Sequence, residues 1–144
     1  MANEKQFHLG IKAMIKNSKD QLLLIKEDVS NHSLPTDEYW DFPGGRMQKG
    51  ETIAQTLRRE VQEEIGIKKF QTPQFVAAVI SNHEIKLKNG EIVGLILMIY
   101  KVVISSRAKI QLSDEHLDYE WVLPKKAAKR LAHKYPTEFT EKLL

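Results

Sequence analysis

Residues 45–67 read GRMQKGETIAQTLRREVQEEIGI, and this stretch decides the fold. Thr52 with Gln55 three positions on is a capping box, the signature of a helix start. Gly66 supplies the left-handed residue at which a helix stops. One helix is therefore expected between them. With Glu60 set at zero and about 100° per residue, Glu63 falls at about −60° and Glu64 at about +40°. On the same wheel Ala54, Leu57, Val61 and Ile65 fall between about 60° and about 140°, the stripe expected to face a core. The three carboxylates thus border the buried stripe and line a groove.

Glutamates at i and i+4, as Glu60 and Glu64 are, repel one another. Two cationic arrangements answer this. Arg58 and Arg59 can tie the glutamates into a surface network, or a hard divalent ion, Mg²⁺ or Mn²⁺, can sit among them with phosphates completing its shell. The residues just before the helix favour the ion. Pro43-Gly44-Gly45 and Gly50 let the backbone turn sharply and approach a ligand. Gly44 then offers a carbonyl to a metal, and Arg46 offers a cation to an anion.

Outward from the helix, Phe7–Lys16 and Gln21–Glu27 read as strands joined by a turn at Asn17-Ser18-Lys19-Asp20. Residues 28–38 read as loop, Tyr39–Phe42 as a short strand, and Pro43-Gly44-Gly45 as a breaker. Phe70–Glu84 and Glu91–Ser105 read as long strands folded about Asn89-Gly90. A strand over Asp118–Leu123 leads into a helix from Pro124 to about His133, and Thr137–Leu144 adds a last helical turn. Hairpins interspersed with helices predict an α/β sandwich with a mixed sheet.

The 144 residues suit one domain spanning 1–144. The absence of cysteine excludes disulfides and thiolate metal sites. No apolar run is long enough for a bilayer and none follows the N-terminus as in a signal peptide, so no membrane partner and a cytoplasmic location are expected. The net charge of +3 owes much to Lys125, Lys126, Lys129, Arg130 and Lys134, read as the wet face of the C-terminal helix. The five histidines show no ligand spacing.

The stretch resembles the Nudix box, G-x5-E-x7-R-E-U-x-E-E-x-G-U with U a bulky aliphatic. Gly45, Glu51, Arg59, Glu60, Val61, Glu63, Glu64, Gly66 and Ile67 occupy its places, and none departs. Tyr39-Trp40-Asp41-Phe42-Pro43-Gly44-Gly45 is similar to the family's lead-in, and Glu120-Trp121-Val122 to its late strand. The resemblance implies an α/β/α sandwich and Mg²⁺-dependent hydrolysis of a nucleoside diphosphate linked to another group, with Mn²⁺ as a substitute ion. It implies Glu60 and Glu64 as the central metal pair, Glu63 as a ligand directly or through water, and Glu60 as candidate general base. Arg59 is expected to orient a carboxylate, with Glu51 in a supporting place. A further carboxylate from a late loop is also implied. Among Asp114, Glu115, Asp118 and Glu120, Glu115 is favoured because its Ser-Asp-Glu-His loop precedes the last strand. Trp40, Phe42 and Trp121 are candidates to stack on a base, with core packing the default for large aromatics.

For substrate, the box is followed at 82–85 by Asn-His-Glu-Ile, which lends no support to ADP-ribose or a dinucleoside polyphosphate. An ordinary or oxidised nucleoside triphosphate is the expectation. Alternatives are removal of pyrophosphate from RNA 5′ ends, using the basic C-terminal helix, and a non-catalytic nucleotide sensor. A sensor is expected to lose box carboxylates, and this chain keeps them all. Oligomeric state is open, a homodimer included.

Overall fold

The computed structural model describes residues 3–28 and 38–144. Strand β1 (Phe7–Lys16) has the expected length. It ends at Asn17, whose side-chain oxygen accepts the backbone N–H groups of Lys19 and Gln21 at 2.9 and 3.0 Å and so builds the turn into β2 (Leu22–Glu27). The loop expected over 28–38 lies, for 29–37, outside the described residues. Strand β3 (Tyr39–Asp41) follows.

The Gly-Gly pair, expected to break structure and to let the backbone approach a ligand, forms a strand, β4 (Gly44–Arg46), antiparallel to β1 with Lys12 opposite Gly44. Gly44 has φ +145°, and a Cβ there would meet the Ile11 carbonyl and lie 2.8 Å from Lys12 Cα. Only glycine lets these two strands approach so closely.

Helix α1 (Ile53–Ile65) carries the expected capping box on Thr52 and Gln55 and closes on Gly66 at φ 74°. Leu57, Val61 and Ile65 are buried as expected, but Ala54 is exposed. The buried face is rotated toward Thr56, and Ile53 packs against the core in its place.

The strand expected over Phe70–Glu84 is shorter, β5 (Gln74–Ile80), and a second short strand, β6 (Ile85–Lys86), follows beyond the expected end. The chain leaves the ladder between them for a physical reason. Ser81 Oγ donates to the Lys134 carbonyl at 2.9 Å, and Asn82 Nδ2 donates to the carbonyls of Ala132 and Tyr135 at 3.1 and 3.2 Å. The break satisfies carbonyls at the end of a helix that would otherwise lack donors. Asn89-Gly90 turns the chain, with Gly90 at φ 88°, into β7 (Ile92–Val103). Strand β8 (His116–Val122), helix α2 (Pro124–Leu131), helix α3 (Thr137–Thr140) and a 3₁₀ turn (Glu141–Leu143) complete the described chain.

The strand order is β3-β2-β1-β7-β5, with β4 on β1, β6 on β7 and β8 on β2. Strands β1 and β7 are parallel from Phe7 opposite Gly94 to Lys16 opposite Val103, while the other pairs are antiparallel, so the sheet is mixed. Alternation along β1 sends Ile11, Ala13 and Ile15 to one face, where they pack with Leu57, Val61 and Ile65 of α1. On the other face Leu97, Ile99, Trp40 and Phe42 pack with Ala127 and Leu131 of α2 and with Phe139 of α3. The result is the expected α/β/α sandwich. Among the described residues no helix is long and apolar enough to cross a membrane.

The basic face predicted for the C-terminal helix is partly turned inward. Arg130 lies 4.2 Å above the Trp40 ring and pairs with Glu120 at 2.8 Å. Lys134, only 8% exposed, reaches Asp41 at 2.6 Å. Lys125, Lys126 and Lys129 remain exposed.

A carboxylate-lined cleft as the candidate active site

The capping box fixes where α1 begins, and with it which side chains reach the turn at Gly44–Gly45. Glu64, 8% exposed, accepts the Gly44 N–H on Oε1 at 2.7 Å. A Cβ on Gly45 would press into the Glu60 carboxylate. Both glycines are thus required for β4 and α1 to meet with two glutamates between them.

Arg59 organises the other side. Its Nε and Nη2 grip Glu51 at 2.6 and 3.0 Å, while Nη1 donates to Glu60 at 2.8 Å and to Glu63 at 3.3 Å. Glu51 also accepts the Gln48 N–H at 2.8 Å and the Thr56 hydroxyl at 3.0 Å. The Arg59 hydrogen bonds, followed by the Gln48 N–H, lower its carboxyl to about 2. A guanidinium fork holding one permanently ionised carboxylate is a rigid bracket for a second.

Glu60 is in the opposite condition. Burial, then the charge of Glu64, raise its pKa above 4.5 in spite of Arg59. Arg59 therefore answers Glu51 and Glu63 and only partly Glu60. Hard cations take oxygen ligands and keep several waters. The paired carboxylates of Glu60 and Glu64 suit such an ion, and their mutual repulsion is what an ion would relieve. Among the described residues no three His, Cys, Asp or Glu side chains are already gathered as a metal cage. Any ion here would need substrate oxygens and water to complete its shell.

A cleft of about 1170 Å³ opens over Glu60, Glu64, Gly44, Gly45 and Arg46, ample for a nucleotide. Arg46 is exposed at its wall, 3.3 Å from His8. Glu63 has a side chain 58% exposed and joins the group through Arg59. Glu115 is exposed on the cleft wall. The late-loop side chain that touches the pair is its neighbour His116, with Nε2 3.1 Å from Glu64 Oε2 and Nδ1 3.0 Å from the Ser113 hydroxyl. Burial opposes a charge on this ring, but the hydrogen bond and charge of Glu64 raise its pKa overall. The Gln111 and Ser113 N–H groups donate to the Ile65 and Glu64 carbonyls at 2.9 and 3.1 Å, which pins the loop to the end of α1. The only sequence signal for His116 was its place beside Glu115.

Trp40 and Phe42, candidates to stack on a base, take the core placement that is the default for large aromatics, 4% and 0% exposed. Phe42 packs edge-on against Tyr135 and Phe139, and Trp40 is covered by Arg130. Neither is among the cleft-lining residues; Tyr39, Leu95 and Leu97 are.

A family model described as the NUDIX domain matches residues 6–143. The chain belongs to that family. It is 33% identical over 67 residues to an 8-oxo-dGTP diphosphatase of Proteus vulgaris, covering 46% of this chain and 56% of the relative. It is 32% identical over 98 residues to the nucleoside triphosphatase NudI of Salmonella typhimurium, covering 62% of this chain and 64% of the relative. The chain thus spans less than two thirds of these curated relatives. The crystal structure of a MutT protein from Methanosarcina mazei Go1 superposes with a TM-score of 0.69 at 26% identity, covering 99% of this chain and 94% of that one.

Proposed function

We propose that the protein hydrolyses a phosphoanhydride bond in a nucleoside triphosphate, ordinary or oxidised, with Mg²⁺ held by Glu60 and Glu64. The observation that carries the reading is this carboxylate pair, Glu64 buried and Glu60 half-buried, braced by Gly44 and Arg59 at the wall of a nucleotide-sized cleft. The names of the Proteus and Salmonella relatives support the substrate class. Bound Mg²⁺ would neutralise phosphate oxygens and lower the pKa of an attacking water.

The chain's own residues supply the rest. Gly44 N–H and His116 orient Glu64, and Arg59 orients Glu60, so neither carboxylate has to be ordered when substrate binds. Glu60, held in place by Arg59 at the cleft wall, is the candidate to accept the proton released as water bonds to phosphorus and the bridging oxygen departs. Arg46 provides a cation for the remaining phosphates, and the Gly44 carbonyl is a further candidate ligand. Glu115 and Glu63, at the wall and the outer side, are left as ligands through water.

Release of phosphate and pyrophosphate, followed by ³¹P NMR across canonical and oxidised nucleoside triphosphates, nucleotide sugars and a 5′-triphosphorylated RNA, tests the reading. Turnover of free triphosphates is expected. Turnover of nucleotide sugars or RNA alone would overturn the substrate class. The fold takes part of the basic face that the RNA reading would use, because Arg130 is paired with Glu120 and Lys134 with Asp41, while Lys125, Lys126 and Lys129 stay exposed.

A further inference from the structure

A smaller hollow of about 440 Å³ shares Arg46 with the cleft, and Arg46 lines both. Strands β1 and β4 explain its place. Gly10 is the register partner of Arg46, and the Met47 N–H donates to the Leu9 carbonyl at 3.0 Å, which carries the pairing one residue past β4. Side chains two apart on a strand share a face, so His8 is the diagonal neighbour of Arg46. Arg46 Nη1 lies 3.3 Å from His8 Nδ1. A guanidinium has donors only, so Nδ1 is the acceptor and the ring proton of His8 sits on Nε2.

This contact steadies Arg46 without neutralising it. Among the described residues no carboxylate lies within ion-pair distance of Arg46, whereas Lys12, Arg59, Arg130 and Lys134 each have one. Lys49, exposed on the loop between β4 and α1, adds a second cation to the hollow. Two acceptor side chains, Glu51 and Gln48, also line it. Glu51 is already engaged by the Arg59 fork, the Gln48 N–H and the Thr56 hydroxyl, so its charge is answered from its own side. The Gln48 amide can donate as well as accept. The hollow therefore suits an anion. Strand β4 says which one: Gly44 holds Glu64, Gly45 packs on Glu60, and Arg46 is the next residue. A phosphate chain that starts over the carboxylates meets the guanidinium next, and a guanidinium with an ammonium is the usual recognition pair for phosphate.

Resting on the triphosphatase reading above, we propose that the hollow beside Arg46 is a subsite for the third phosphate of the substrate. Arg46 and Lys49 bind that phosphate, and His8 is the positioning residue that holds Arg46 toward it. The subsite selects triphosphates over diphosphates, because a diphosphate leaves it empty.

The test uses dGTP as substrate and dGDP, which lacks the third phosphate, as a competing ligand. Lys49→Ala and His8→Ala, each verified as folded by circular dichroism, should raise the KM of dGTP about tenfold with little change in kcat, the loss of one charge-assisted hydrogen bond. The Ki of dGDP should stay within about twofold of the wild-type value. His8→Asn, whose side-chain oxygen can accept in place of Nδ1, should recover most of the lost affinity. A KM that either alanine substitution leaves unmoved, or a rise shared equally by dGTP and dGDP, overturns the subsite. A His8→Asn variant no better than His8→Ala overturns the positioning role. If no triphosphate is turned over, the hydrolase reading fails, and calorimetry with inorganic tripolyphosphate then decides the subsite alone. Binding about tenfold weaker in Lys49→Ala than in the wild type upholds it, and equal or absent binding overturns it.

Discussion

Glu60 and Arg59 stand next to one another and show how one helix makes two opposite electrostatic environments. Arg59 stabilises Glu51 as an anion, while burial and Glu64 work against Glu60. The folded pKa of Glu60 lies above its unfolded 4.5. Its contribution to stability is therefore full below 4.5 and is lost as pH rises through the folded value. Without metal, the Tm of the wild type should fall relative to Glu60→Gln as pH rises from 4.5, and added Mg²⁺ should close the gap. Differential scanning fluorimetry over a pH series reads this directly, and a gap independent of pH and Mg²⁺ would refute it. Arg59→Lys cannot reproduce the fork on Glu51 and should lower kcat by about tenfold or more with little change in KM. Steady-state kinetics on a nucleoside triphosphate checks it; a change in KM alone would point to a substrate contact instead.

At the level of elements, the local code of α1 is what makes the site. The Thr52–Gln55 box and Gly66 set both ends of the helix, and both were legible because capping is a local signal. Thr52→Ala should cost about 1 kcal/mol in urea unfolding, the usual loss for a cap. Gly45→Ala makes a sharper case. The new methyl would displace the mobile end of Glu60 and leave the backbone pairing alone, so kcat should drop by about 100-fold or more with the Tm shifted by only a few degrees. What the sequence hid is equally physical. A glycine pair reads as punctuation, and only the nearness of β1 turns it into a strand. The break after Ile80 serves carbonyls some fifty positions away, and the contact between His116 and Glu64 spans two elements, so neither leaves a local pattern. Trp40 and Phe42 were candidates for a base because large aromatics can stack on one, although the core is their default place. Burial decided for the core.

Across the whole molecule, Asp41 ties β3 to β1 through Lys12 and to the segment after α2 through Lys134 and Tyr135. Asp41→Asn would leave two buried cations without their counter-charge, a loss of about 3–5 kcal/mol by denaturant unfolding. A change below about 1 kcal/mol would mean that water already reaches the cluster. Lys12 and Lys134 of that cluster line the same cleft as the carboxylate pair, and Lys12 is the register partner of the Gly44 that holds Glu64. The proposed function puts phosphate and metal at the part of the cleft built by α1. Its central claim is that Glu60 and Glu64 hold the metal that makes hydrolysis possible. The most direct test is the Mg²⁺-dependent turnover of a nucleoside triphosphate by the wild type, Glu60→Gln and Glu64→Gln under identical conditions. Turnover by the wild type that chelation abolishes and that falls at least about 100-fold in both variants is the predicted result. Turnover that survives chelation, or persists undiminished in either variant, would contradict it.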